Sequence, residues 1–140
     1  MSRGRLDAPV LAAVALGGVV GASARYGLGT LFPDRAETFP WTIFAVNVSG
    51  CLLLALLPAL SVVRRRALLA PMLGAGVLGG YTTLSTYAEQ SRALMASGHA
   101  ALAGAYVVGT LAACLVAVAL GDRVTSRAAR SRFEDEGGDE

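Results

Sequence analysis

The sequence predicts an all-α integral membrane protein with four transmembrane helices. The chain has 140 residues, 54% of them hydrophobic, and its mean hydropathy of +0.56 exceeds that of an ordinary soluble domain. Its charges are segregated, which leaves four uncharged stretches at residues 8–24, 38–63, 67–88 and 93–121. Each stretch approaches or exceeds the roughly 20 residues that span a bilayer. The remaining loops are short and the tail is polar, so we expect no soluble catalytic domain and no enzyme.

The first helix is expected from about Pro9 to Leu31. An alternative is a cleaved secretory signal, because two arginines precede the apolar stretch and a small-residue Ala-Ser-Ala sequence follows it at 22–24. We favour the helix because its segment GGVVGA (17–22) is unusually rich in glycine for a signal. Small residues in a membrane helix are typical of a face that another backbone approaches closely.

The second helix is expected from Trp41 to about Val63, after a loop at residues 32–40 that contains Pro33, Asp34 and Pro40. Trp41 suits the membrane–water interface. Asn47 lies midway along this helix, where it either joins neighbouring helices by hydrogen bonding or lines a polar path.

The third hydrophobic segment, from about Ala67 to Met95, is expected to be broken at mid-membrane. It contains the run GGYTTLSTY (79–87), with two glycines followed by several hydroxyl side chains. One interpretation is a kinked helix whose Ser and Thr side chains bond back to the preceding turn. We favour an ion site, because freed backbone groups at that depth must face protein, water or an ion.

The fourth helix is expected from about Ala100 to Leu120. Its residues Tyr106, Thr110 and Cys114 are spaced four apart and so form one polar stripe. The organisation that follows is a four-helix transmembrane domain at residues 1–122 and a charged tail at 123–140, which we expect to be disordered.

All twelve basic residues are arginines, and they cluster at the ends of the spans. This placement argues against nucleic-acid binding. Arg25 is costly inside a membrane, so it either reaches the surface or attracts an anion. The two cysteines lack histidine partners and make a poor metal site, so Cys51 is interpreted as a small packing residue.

Several of these segments resemble the Fluc (CrcB-type) family of fluoride channels. The glycine-rich end of the first helix, GGVVGASARY (17–26), is similar to the family's first-helix signature, and NVSG (47–50) to its second-helix motif. The run GGYTTLSTY (79–87) is similar to the family pattern GGxTTFSTF, which is the most specific of the three. The resemblance covers all four helices, roughly residues 9–120.

The resemblance implies an antiparallel dimer with two pores and a central sodium ion, bound by the backbone carbonyls of Gly79 and Thr82. Fluoride, a small and strongly hydrated anion, would exchange water for uncharged donors and leave the cytoplasm passively. At the two phenylalanine positions of the family this chain has Leu84 and Tyr87. The implied vestibule residue is Arg25, and the implied fluoride path comprises Asn47, Leu84, Ser85, Thr86, Tyr87, Tyr106, Thr110 and Cys114.

The arginines also predict an orientation. Nine of the twelve lie at the N-terminus, in the turn between the second and third spans, and in the tail. With four spans, these three segments lie on the same side of the membrane. The positive-inside rule then predicts one orientation, with both termini cytoplasmic. We expect the protein in the plasma membrane, embedded in lipid. A chain so unbalanced inserts one way, so its antiparallel partner is expected to be a homologous subunit of opposite orientation.

Two other functions remain open at this level. The departure at Leu84 favours a non-conducting partner subunit, because leucine lacks the electropositive ring edge of phenylalanine. A small multidrug transporter would need a membrane-embedded carboxylate, for which Glu89 is the only candidate.

Overall fold

The computed structural model describes the backbone of residues 7–137 and side chains as far as residue 126. Within this part of the chain every regular element is a helix. The first half contains α1 (Ala8–Leu31), α2 (Trp41–Leu56), a 3₁₀ turn (Leu57–Ala59) and α3 (Ser61–Arg65). The second half contains α4 (Leu69–Pro71), a π-helix (Met72–Leu78), α5 (Gly79–Tyr81), α6 (Ser85–Ala96) and α7 (Ala100–Gly137).

Three helical stretches are long and apolar enough to cross a membrane: Ala8–Leu31, Trp41–Ala59 and Ala100–Ser126. Large apolar side chains are exposed along them, for example Val19 on α1 and Leu111 and Leu115 on α7, each more than half exposed. Helices that are apolar all round belong in lipid or against other helices. The chain is therefore a multi-pass membrane protein.

The helix boundaries differ from the predicted ones at two places. The second helix ends at Leu56 rather than near Val63, because Pro58 has no backbone N–H to continue it and forms a 3₁₀ turn instead. The fourth helix begins at Ala100 as predicted, but it continues past Leu120 to Gly137. Residues 123–136 contain neither Gly nor Pro and are rich in Ala, Arg and Glu, which favour helix. The backbone of the predicted tail is thus helical as far as the description extends; residues 138–140 lie outside it. The division of the chain at residue 122 stays a prediction.

Glycines bring α1 into backbone contact with residues 72–81. A Cβ atom at Gly21 would collide with the carbonyl of Val77 and lie 2.8 Å from the amide nitrogen of Tyr81. Similarly, a Cβ at Gly76 would lie 2.8 Å from the carbonyl oxygen of Val14. The predicted close approach of another backbone to the first helix is confirmed.

Helices α2 and α7 pack side by side and run in the same direction. Near their beginnings Phe44 packs on the cluster around Tyr106, and further along a Cβ at Gly121 would lie 2.6 Å from the Cβ of Ala55. The chain between the end of α2 and the start of α7 therefore returns along the full length of this pair.

The buried core lies where α6 meets α7. Leu94, Ala103 and Tyr106 form it, and partly buried aromatic side chains pack around them. The ring of Tyr106 lies 5.3 Å from that of Phe39, edge to face, and 5.1 Å from that of Tyr87. This cluster holds α6 against α7 next to the point where α5 ends.

Candidate functional site

The helical backbone is interrupted at residues 82–84, between α5 and α6. Thr82 adopts an extended conformation (φ −74°, ψ 159°), although its N–H still donates to the Leu78 carbonyl at 2.9 Å. Thr83 then leaves the helical hydrogen-bond pattern altogether. Its backbone groups need partners from elsewhere, because unpaired N–H and C=O groups are costly away from water.

Asn47 supplies both of those partners from α2. Its Oδ1 accepts the Thr83 N–H at 2.9 Å, and its Nδ2 donates to the Thr83 carbonyl at 3.1 Å. The residue is only 8% exposed. A primary amide has two N–H groups, so one donor of Asn47 is left after this pairing. Asn47 thus joins α2 to the interruption and still offers one uncharged donor.

Thr83 in turn caps α6. Its Oγ1 accepts the Thr86 N–H at 3.1 Å, and the same hydroxyl donates to Thr86 Oγ1 at 3.1 Å. The Ser85 hydroxyl lies 3.2 Å away. A hydroxyl that binds the first N–H groups of a helix stabilises its N-terminus, where the helix dipole is positive. Sequence reasoning did not single out Thr83, whose role depends on Asn47.

A cavity of about 570 Å³ lies beside the interruption, between α2, residues 74–84 and α7. It collects most of the predicted path in one place. The predicted residues that line it are Asn47, Gly79, Thr82, Leu84, Tyr87, Thr110 and Cys114. Ser85, Thr86 and Tyr106 do not line it; the first two lie at the start of α6, and Tyr106 is fully buried in the neighbouring core.

Thr110 carries a hydroxyl without a partner. The residue is 4% exposed, and within the described residues its Oγ1 makes no hydrogen bond although the atom is buried. A buried polar atom without a partner costs free energy and therefore calls for an explanation. Thr110 is one of the residues that line the cavity, so this buried hydroxyl belongs to the cavity wall.

The hydroxyls of the two tyrosines on the predicted path, Tyr87 and Tyr106, already make hydrogen bonds. Tyr87 donates to the carbonyl of Val107 at 2.9 Å, and Tyr106 donates to Oε1 of Gln90 at 2.9 Å. Gln90 donates onward to Asp34 at 3.3 Å. These bonds fix both rings, and sequence reasoning missed Gln90 and Asp34 because they lie far from Tyr106 in the chain.

Leu84 and Arg25 both lie close to the interruption, Leu84 within it and Arg25 through a bond to Gly80. Leu84 is 77% exposed at the edge of the cavity. Arg25 donates through Nε to the Gly80 carbonyl at 3.2 Å, so its guanidinium is held at the end of α5. The guanidinium keeps its positive charge and its other N–H groups, and these would attract an anion.

The carbonyls of Gly79 and Thr82 have the chemistry that a sodium ion needs. In a continuous helix the Thr83 N–H would bond to Gly79, but here it bonds to Asn47 instead. Within the described residues neither carbonyl accepts a hydrogen bond. Unwound backbone carbonyls are the groups that bind Na⁺ in membrane proteins. The two predicted oxygens therefore fit such an ion.

Known proteins with similar sequences share this whole region. The sequence pattern of the family described as "CrcB-like protein, Camphor Resistance (CrcB)" matches residues 12–122, which is most of the chain. The chain belongs to the CrcB family. The matched region holds all the residues of the site described above.

Among its CrcB relatives, the "Fluoride-specific ion channel FluC 1" of Streptomyces coelicolor is 47% identical over 116 residues, which cover 81% of this chain and 75% of the relative. The "Fluoride-specific ion channel FluC 3" of Streptomyces avermitilis is 50% identical over 121 residues, covering 85% of this chain and 59% of the relative, which is longer. The "Fluoride-specific ion channel FluC 2" of Nocardia farcinica is 43% identical over 119 residues, covering 83% and 84%.

Proposed function

We propose that this chain is a subunit of a fluoride-selective channel and exports fluoride passively. The single observation that carries the proposal is one cavity lined both by Thr110, whose buried hydroxyl has no partner among the described residues, and by Asn47, which has one amide donor left. Both are uncharged donors held by the fold. The CrcB relatives are named as fluoride channels, which agrees with this chemistry and with the absence of an enzymatic function.

Uncharged donors suit fluoride for a physical reason. The ion is strongly hydrated, so a path must replace water with hydrogen-bond donors, yet no contact may hold the ion too firmly. Donors spread along the cavity meet both needs, whereas a fully charged ligand would trap the anion. Arg25, which bonds to Gly80 just before the interruption, would raise the local concentration of anions through its charge.

The fourth span is part of the proposal. Since α2 and α7 run in the same direction, residues 57–99 return across the same distance, and α4 to α6 are the helices available for it. We infer that they form one span broken at residues 82–84. The Asn47 bonds to Thr83 support this, because they satisfy the backbone where the helix is interrupted.

We further propose an antiparallel dimer with a sodium ion at its centre, held by the carbonyls of Gly79 and Thr82. Gly79 and Leu84 are exposed at the interruption, as expected of residues that a second subunit covers. A cation there would neutralise the carbonyl dipoles of two facing interruptions. The excess of arginines on one side favours a partner of opposite orientation, and that partner would also supply the ring edges missing at Leu84.

The alternative of a small multidrug transporter requires a membrane-embedded carboxylate, and Glu89 does not fit that role. Glu89 is 63% exposed and pairs with Arg92 at 2.7 Å, and it does not line the cavity. A silent subunit, which does not itself conduct fluoride, remains a second candidate. Leu84 favours it, because leucine lacks the electropositive ring edge of phenylalanine.

Flux from liposomes tests the proposal. We expect the chain, alone or with its homologous partner, to release fluoride much faster than chloride, as followed with ion-selective electrodes. Asn47→Asp should abolish the flux, because it replaces the free donor with a negative charge. Equal release of fluoride and chloride, or undiminished flux through Asn47→Asp in the chain with its partner, would count against the assignment. Flux that appears only with the partner is the result expected of a heterodimer, and a silent subunit is indicated if Asn47→Asp in this chain leaves that flux unchanged.

A further inference from the structure

Both cysteines of the chain line the same cavity, one from each of two parallel helices. Cys51 lies on α2 and Cys114 on α7, and both are free thiols. The two thiols line this cavity from neighbouring helices that pack closely against each other. The sequence alone assigned Cys51 to packing, because nothing in the spacing of 51 and 114 shows that they meet.

The packing of α2 against α7 keeps the thiols together. One turn beyond Cys51, Ala55 faces Gly121, where even a single Cβ atom would lie 2.6 Å from the Ala55 Cβ. Close backbone approach of this kind fixes the sliding position of one helix along the other. The pair is therefore held by the helix contact rather than by a mobile loop.

The surroundings of the pair restrict what it can bind. Among the described residues no group of three or more His, Cys, Asp or Glu side chains comes together, so a tetrahedral zinc site is excluded there. Two thiolates are soft ligands that suffice for a soft cation with two-coordinate, linear geometry. The net charge of the metal–thiolate complex also matters, because the cavity lies among apolar helices where a net charge is costly.

We propose that Cys51 and Cys114 form a bidentate site for a soft divalent cation of the mercuric class. Each S–H bond breaks, each sulfur forms one bond to the metal, and two protons leave, so the product of two thiolates and Hg²⁺ is neutral. No oxidant or reductant takes part. The bound ion lies one helical turn from Thr110 on the wall of the cavity. We also expect the bound ion to block the fluoride path, an expectation that rests on the proposed function.

Binding is tested first, without any flux measurement. The purified full-length chain is loaded with HgCl₂, dialysed against excess glutathione, and its mercury content measured by mass spectrometry. We expect one mercury per chain. Cys51→Ser and Cys114→Ser should each lower the affinity for Hg²⁺ by about 100-fold or more, because two linked ligands gain about 10²–10⁴ in affinity over one. Two mercury ions per chain, or retention by either single variant equal to that of the original chain, would overturn the proposal.

Flux gives the second readout, with each variant normalised to its own untreated rate. Hg²⁺ at the loading concentration should stop fluoride release from the original chain and from a Thr125→Val control, and dithiothreitol should restore it. The single-cysteine variants should keep most of their flux in glutathione. If mercury binds in the expected ratio but fluoride flux persists, the blocking role is wrong. If no variant carries fluoride although mercury binds, the proposed function fails and the metal site stands.

Discussion

Removing the amide of Asn47 should loosen the interruption between α5 and α6. The substitution Asn47→Leu keeps a side chain of similar size but removes both hydrogen bonds to Thr83, at 2.9 and 3.1 Å. Interhelical hydrogen bonds in membrane proteins contribute about 0.6 kcal/mol on average and about 1.7 at most. Two of them give an expected loss of about 1–3 kcal/mol in the free energy of unfolding.

Ser49→Ala is the matched control on the same helix. Ser49 bonds to the Tyr81 hydroxyl at 3.1 Å, and it does not line the cavity, so its replacement removes one interhelical bond and should cost about half as much. Equilibrium unfolding in mixed micelles, titrated with a denaturing detergent, measures both variants. Fluoride flux should fall in Asn47→Leu and persist in Ser49→Ala. The reasoning is refuted if Asn47→Leu unfolds no more easily than Ser49→Ala.

Three other predictions follow from the same contacts. Thr110→Val should reduce fluoride flux at least tenfold with little change in stability, because its hydroxyl bonds to no described protein group; undiminished flux would exclude it from the path. Gly21→Val should prevent stable folding, since even a Cβ atom there collides with Val77, whereas Gly18→Ala, with open space around it, should fold normally by size-exclusion chromatography. Gly79→Val should weaken dimerisation in sodium and abolish its sodium dependence, measured by dimer dissociation with and without Na⁺; a sodium-independent dimer in the original chain would contradict the site.

The closest agreement between sequence and structure concerns features that depend on local chemistry. Segregated charges located the apolar helices, because a segment leaves water or stays in it according to its own side chains. The glycines at 17–21 indicated a close backbone approach, and that approach is confirmed at Val77 and Tyr81. The predicted end of the second helix was wrong. Apolar composition continues to Val63, but the helix ends at Leu56 and a 3₁₀ turn that contains Pro58 follows.

What only the tertiary structure decided is which side chains meet. The spacing of Tyr106, Thr110 and Cys114 places them on one face of α7, yet Tyr106 donates to Gln90 in the core while Thr110 lines the cavity. The hydrogen bonds of Asn47 to Thr83 join residues 36 positions apart in the chain, and Cys51 and Cys114, 63 positions apart, line the same cavity. Hydropathy determines that each helix enters the membrane, but it is nearly the same all round these helices and so carries little information about their partners. The small residues and the unpaired backbone groups choose the partners, because only certain helix contacts allow close approach and satisfy every buried N–H and C=O.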